Sequence, residues 1–215
     1  MPTRKANTDE ALKRVVLDAA LERAAVEGFT DKLLLHAGKQ AGVSAGEIAR
    51  LFPQGIPSLL EFYSTAVDAE MEKRLRDLAL ASMPVRQRIS TAVLTRLAIL
   101  NPHKDAARRA AAHLSLPANL SLAARLVYRT VDCTWRAVGD LSTDFNFYTK
   151  RGILAGVYTT TLMRWFTSPD ERETEAFLAA RIENVMQYEK LKALMRREAK
   201  QGLDRMSELL RTARR

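Results

Sequence analysis

Apolar residues recur at helical spacing from one end of this chain to the other, and no stretch alternates with period two through β-branched residues. A strand buries every second side chain, so such a pattern leaves no sheet to organise a core. The expected class is therefore all-α. The 215 residues suffice for one large or two small domains, and a hydrophobic fraction of 47% fits a folded core. Breakers divide the pattern into segments. Gly28, Gly42, Pro53, Asn101-Pro102, Gly139 and Ser168-Pro169 predict helices over about 8–27, 31–41, 45–52, 56–81, 84–100, 104–114, 117–139, 144–166 and 170–190.

The segment 144–166 is the most unusual. Asp144 is placed to cap it, and Phe147, Leu154, Val157, Tyr158, Thr161 and Trp165 form an apolar stripe. The opposite side is small: Gly152, Ala155, Gly156, Thr159 and Thr160. Two glycines in a helix cost about 2 kcal/mol relative to alanine. Either a second backbone packs closely there or the small residues leave room for a ligand. The alternative is an ordinary core helix. The apolar stripes near 85–100, 117–138 and 144–166 exceed what a simple bundle needs, which predicts an apolar pocket between those helices.

The N-terminal third has another signature. Leu33, Leu34 and Ala37 give a short helix, Gly42 a turn, and Ser44 with Glu47 a capping box before Ile48, Leu51 and Phe52. Two short helices about a glycine turn predict a helix-turn-helix. Its second helix opens with Ala45, Gly46 and Glu47, and only Arg50 is basic. Residues 31–53 carry Lys32, Lys39 and Arg50 against Asp31 and Glu47. Direct readout needs donors or cations at the start of that helix, so no sequence-specific nucleic-acid binding is expected.

The formal charge is +9 and is unevenly spread. Residues 187–215 hold nine Lys/Arg against four acidic residues, a net of +5. Leu191, Leu194, Met195, Leu203, Met206 and Leu210 continue a helical stripe there, with the cations on the other side. The segment reads either as a helix packed on the body or as one that lies on an anionic membrane. Arg151 and Arg164 leave only 12 residues between them, too few to span a bilayer. The sequence MPTRKANTDE has no apolar h-region and is not read as a secretory signal.

No catalytic motif stands out. His36, His103 and His113 lie in no metal-ligand spacing, there is no P-loop, and Cys133 sits on an apolar helix without a neighbouring histidine. The chain is not read as an enzyme, and no cofactor or metal is expected.

The AGVSAGEIARLFP stretch resembles the N-terminal module of TetR repressors. WRAVGDLSTDFNFYTKRGILAGVY, followed by FLAARIENVM, resembles the TetR-like, lipid-binding accessory proteins of ubiquinone biosynthesis, partners of the demethoxyubiquinone hydroxylase. The likeness covers most of residues 10–190 and is loose over 68–120. It implies a TetR-type fold without DNA binding, a homodimer, a pocket for an isoprenoid lipid or ubiquinone intermediate, and a C-terminal helix that visits the membrane. The expected division is 1–66 for the helix-turn-helix module, 67–190 for lipid binding and dimerisation, and 191–215 for the basic amphipathic helix. Pocket residues are then Leu97, Val127, Val131, Trp135, Leu154, Val157, Tyr158 and Thr161. Asp144, Phe147, Tyr148 and Arg151 are expected to face the hydroxylase, and Leu191, Leu194, Met195, Leu203, Met206 and Leu210 the membrane. The implied place is the bacterial cytoplasm, at the inner membrane. A ligand-responsive TetR-type transcription regulator is the alternative.

Overall fold

The computed structural model describes residues 2–140 and 145–188, with side chains over 8–140 and 147–188. Among them the regular elements are all helical: α1 (Pro2–Glu27), α2 (Asp31–Gln40), α3 (Ala45–Leu51), α4 (Ile56–Arg76), α5 (Val85–Leu100), α6 (Lys104–Leu114), α7 (Leu120–Ala137), α8 (Phe145–Thr167) and α9 over residues 171–188. The expected all-α class holds. The Asp144 cap and the basic segment 191–215 lie outside the described residues.

Boundaries follow local chemistry. Thr30 accepts the Leu33 amide to start α2, and Ser44 and Glu47 form the expected capping box at α3. Gly42 turns between them at φ +68°, in the left-handed region. Gly38 has a different reason. A Cβ there would lie 2.6 Å from Ile48 Cγ1, so α2 and α3 cross only because that side chain is missing. Three expected ends shift. α1 starts at Pro2 rather than near Thr8, since proline is tolerated in a first turn. α4 stops at Arg76, and Leu80 folds back, buried, in a 3₁₀ turn. Pro117 opens a 3₁₀ turn, and α7 begins three residues later.

α4 is the central post. It packs on α5 and α7, while α7 packs on α8 and α1 packs on α2 and α6. Leu59, Leu60, Met71 and Leu75 of α4, Val93 and Leu97 of α5, Val131 of α7, and Leu154 and Trp165 of α8 share one core. At about 25 cal/mol per Å² of buried apolar surface, this shared core is the main stabilising term. α9 is anchored by the fully buried Leu178, but Phe177, Ile182 and Val185 are only half covered and Met186 is exposed. Sequence periodicity places all five on a buried side, so the described chain leaves part of that face uncovered.

Candidate functional site

A cavity of about 350 Å³ opens between α4, α5, α6, α7 and α8. That is within the size range of small-molecule pockets. Leucine, alanine and valine make most of its wall. The small residues Ala107, Ala110 and Ala111 on α6 and Ala123 on α7 create the space, because no long side chain fills it. Leu120 and Met163 line its rim and are 54% and 46% exposed.

One end of the cavity is polar. Arg96 of α5 is 5% exposed and reaches across the core. Its Nε donates to Asp68 Oδ1 at 2.8 Å, Nη1 to the Tyr158 hydroxyl at 2.6 Å, and Nη2 to Ser64 Oγ at 3.3 Å. Thr130 Oγ1 donates to the same carboxylate, 3.1 and 3.0 Å from its two oxygens. A buried ion pair is stable only with its remaining polar atoms satisfied, and Thr130 and Tyr158 supply that here. Burial alone would pull the Arg96 guanidinium down. Tyr158 and Asp68 more than offset it, so its pKa ends above the usual arginine value. Burial pushes the Tyr63 phenol up to about 12 and raises that of Tyr158, in each case against the opposing pull of Arg96.

Of the eight expected pocket residues, Val127 and Tyr158 line this cavity. Val131, Leu154 and Val157 are core residues, and Thr161 is buried with its hydroxyl on the Val157 carbonyl. Leu97 faces a smaller hollow of about 260 Å³ near Trp165 and Thr174. Trp135 donates its indole N–H to the Lys150 carbonyl and ties α7 to α8. The expected helices do frame the cavity, but α4 and α6 contribute as well. Asp68 and Arg96 were not picked out from sequence. A signal existed: Arg96 interrupts the stripe Ile89, Val93, Leu100, and a charge inside an apolar stripe needs a buried partner.

Gly152 and Gly156 do not face the cavity. Both are exposed, and a Cβ at either would meet nothing within 4 Å. No second backbone of the described residues packs closely against them.

The start of α8 forms a second constellation. Arg151 is 3% exposed. Its Nε lies 2.7 Å from Asp132 Oδ1, Nη1 lies 3.7 Å from Asp140 Oδ2, and the guanidinium stacks 3.3 Å from the Phe147 ring centroid. Lys150 pairs with Asp140 at 2.8 Å. Phe147 is half-buried and meets Tyr148 edge to face, and Tyr148 is 69% exposed. Of the expected docking residues that are described, Tyr148 is held out to solvent, while Arg151 is buried against the Phe147 ring. Asp144 and the six expected membrane-facing residues lie outside the described residues.

The helix-turn-helix surface is plain. Arg50, the basic residue of α3, holds Asp9 of α1 through two bonds of 2.6 and 2.8 Å, and Glu47 is engaged at the cap. Cys133 is buried, with its thiol on Glu72 at 3.0 Å, and burial pushes its pKa up. A thiol held protonated is a poor nucleophile. Among the described residues no group of His, Cys, Asp and Glu could hold a metal ion, and no helix is long and apolar enough to cross a membrane.

Residues 120–189, from α7 through α9, match the COQ9 family model. The chain is 34% identical over 188 residues to the mitochondrial ubiquinone biosynthesis protein COQ9 of Bos taurus, covering 83% of this chain and 59% of that one. Against COQ9 of Homo sapiens the identity is 32% over 187 residues, with the same two coverages. Against the Drosophila melanogaster protein it is 25% over 189 residues, covering 84% and 57%. This chain thus spans less than two thirds of the length of these relatives. Among solved structures, a TetR transcriptional regulator from Nitrosomonas europaea ATCC 19718 superposes with a TM-score of 0.65 at 20% identity, over 80% of this chain and 97% of that one. At that identity the likeness establishes the fold, which is TetR-like.

Proposed function

Because the chain belongs to the COQ9 family, we propose that it is a non-catalytic, lipid-binding accessory protein of ubiquinone biosynthesis. In this reading it takes an isoprenoid lipid or ubiquinone intermediate into the cavity among α4–α8 and passes it to a membrane-associated hydroxylase. The observation that carries it is the cavity: apolar along most of its wall, open at a rim of Leu120 and Met163, and large enough for part of a lipid. The relatives named for ubiquinone biosynthesis support the pathway.

Tyr148 is the proposed contact to the hydroxylase, with Phe147 beside it. Exposed aromatics over a rigid base suit an interface hot spot. Arg151 then positions the surface rather than touching the partner. A homodimer and a basic segment at the anionic inner-membrane surface complete the reading. The small exposed face of α8 and the half-covered face of α9 are compatible with a second copy. The alternative, a ligand-responsive regulator, draws on the same TetR-like fold. The pairing of Arg50 with Asp9 speaks against it, because α3 then lacks an unengaged cation for phosphate.

The direct test is mass spectrometry of an organic extract of the protein purified without detergent. An isoprenoid lipid in near-stoichiometric amount is expected. An empty extract, together with no uptake of added isoprenoid quinone, would overturn the lipid-binding reading.

A further inference from the structure

We infer that the smaller hollow, between α5, the end of α8 and the start of α9, is a binding site for an alkylammonium group, carried by a free amine or by a lysine side chain. The hollow shares no lining residue with the cavity among α4–α8, so the site stands apart from the lipid reading.

The first observation is an orphaned hydroxyl. Thr174 is 2% exposed and lines the hollow. Its Oγ1 is the one buried side-chain oxygen or nitrogen among the described residues with no hydrogen-bond partner. A helical threonine ordinarily bonds a carbonyl three or four residues back. Here the Asp170 carbonyl, four residues back, accepts the Ser168 hydroxyl at 2.9 Å instead. A buried hydroxyl without a partner destabilises a fold, and a ligand that donates to it removes that cost.

The second observation is charge. Glu171 and Glu175 stand on the wall one turn apart on the same face of α9, and the wall holds no Lys, Arg or His. The dipole of α9 favours a carboxylate in its first turn, which accounts for Glu171 but not for Glu175 a turn later. Glu171 accepts one long bond, from Asn101 at 3.3 Å, and Glu175 has no ion pair or hydrogen bond among the described residues. The neighbouring cations are committed elsewhere. Lys104 donates to the Ser168 carbonyl at 2.8 Å and lies over the Trp165 ring, and Arg164 pairs with Glu173 at 2.8 Å. Two carboxylates at this spacing repel, and a cation between them relieves the repulsion.

The third observation is shape. Among the described residues no group of His, Cys, Asp and Glu could hold a metal ion, so a bare ion is poorly served here. The rest of the wall is Leu94, Leu97, Ala98 and Trp165 with the Thr95 hydroxyl, and the volume is about 260 Å³. A short hydrocarbon stem packs on the leucines and the indole. Its ammonium carries three donors, which match the two carboxylates and the Thr174 hydroxyl.

The test is an NMR titration of the full chain with pentylammonium, the amide of N-acetyl-lysine, and pentanol. The chain has two tryptophans, so two indole N–H signals report, Trp165 at the site and Trp135 away from it. Pentylammonium should shift the Trp165 signal saturably, leave that of Trp135 in place, and bind about five-fold more tightly than pentanol. Glu175→Gln removes a charge that holds no fold contact. It should lose about three- to five-fold for the ammonium and nothing for pentanol. Thr174→Val should weaken ammonium binding while its melting temperature stays level or rises, since it deletes an unpartnered hydroxyl. The inference is overturned if neither ammonium shifts Trp165, if pentanol binds as tightly, or if Glu175→Gln changes nothing. A lower melting temperature for Thr174→Val also overturns it, because the hydroxyl then has a partner within the fold. Tighter binding of pentylammonium supports the site with a free amine as its ligand, and tighter binding of the lysine derivative supports it with a lysine side chain. The lipid reading of the larger cavity is untouched by any of these results.

Discussion

Arg96 and Arg151 are both buried, but their partners differ in kind. Arg96 joins α4, α5 and α8 through Asp68, Ser64 and Tyr158, at the end of a cavity. Arg151 joins the end of α7 to the start of α8 through Asp132 and Asp140 and carries Phe147 on its face. Removing one member of a buried ion pair leaves the other charge uncompensated. Arg151→Ala leaves Asp132 paired with Arg136 and Asp140 with Lys150, so a smaller cost of about 1–3 kcal/mol is expected in denaturant unfolding. Tyr148→Ala, at an exposed site, should change stability by less than about 0.5 kcal/mol. Co-purification with the hydroxylase should nevertheless fail for Tyr148→Ala, and full retention of the partner would remove Tyr148 from the proposed interface. The tyrosines make a second prediction. Tyr63 titrates at about 12 in the folded chain, against 10 when unfolded. Its raised value therefore contributes stability that is fully present below pH 10 and is lost as pH rises toward 12. Phenolate absorbance from Tyr63 and Tyr158 should rise only as the fold opens.

At the scale of elements, two glycine pairs illustrate opposite cases. Gly38 and Gly42 are both needed for the helix-turn-helix, one for a close crossing and one for a left-handed turn. Gly38→Ala must displace Ile48 in a packed site, and a loss of about 1–3 kcal/mol in thermal or denaturant unfolding is expected. An unchanged midpoint would mean that α2 and α3 separate easily. Gly152 and Gly156 meet no steric limit within the described chain. Their cost to α8 is not offset by any contact there, which is why the face they form belongs to the assembly reading and not to the cavity. α9 shows the same incompleteness, with one buried leucine and a flank of half-covered apolar residues.

For the whole molecule, the proposed function divides the chain into three parts. α1–α3 keep the helix-turn-helix shape while Arg50 is turned onto Asp9. α4–α8 surround the cavity. Residues 191–215 hold eight Lys/Arg against three acidic residues, a net +5 of the chain's +9. Each basic residue near an anionic surface adds about 1 kcal/mol of attraction, and salt screens it. Deleting 191–215 is expected to abolish flotation with anionic liposomes at low salt and to spare the fold and cavity binding of the remainder. Equal flotation of the truncated chain would assign membrane contact elsewhere.

The sequence by itself determined the helices, the helix-turn-helix with its Ser44–Glu47 box, and three of the five helices that frame the cavity. These rest on local rules: period, caps and breakers act within a few residues. It also exposed the poverty of α3 in cations, since composition is read directly. Only the tertiary structure decided which apolar residues are wall and which are core. Val127 and Leu154 look alike in a stripe, and the difference depends on what the facing helix presents. Only the fold brought Asp68 and Arg96 together, 28 residues apart on neighbouring helices, and buried Arg151 against the Phe147 ring. Pairing of buried charges is a contact between distant segments, and periodicity along one segment carries no information about its partner.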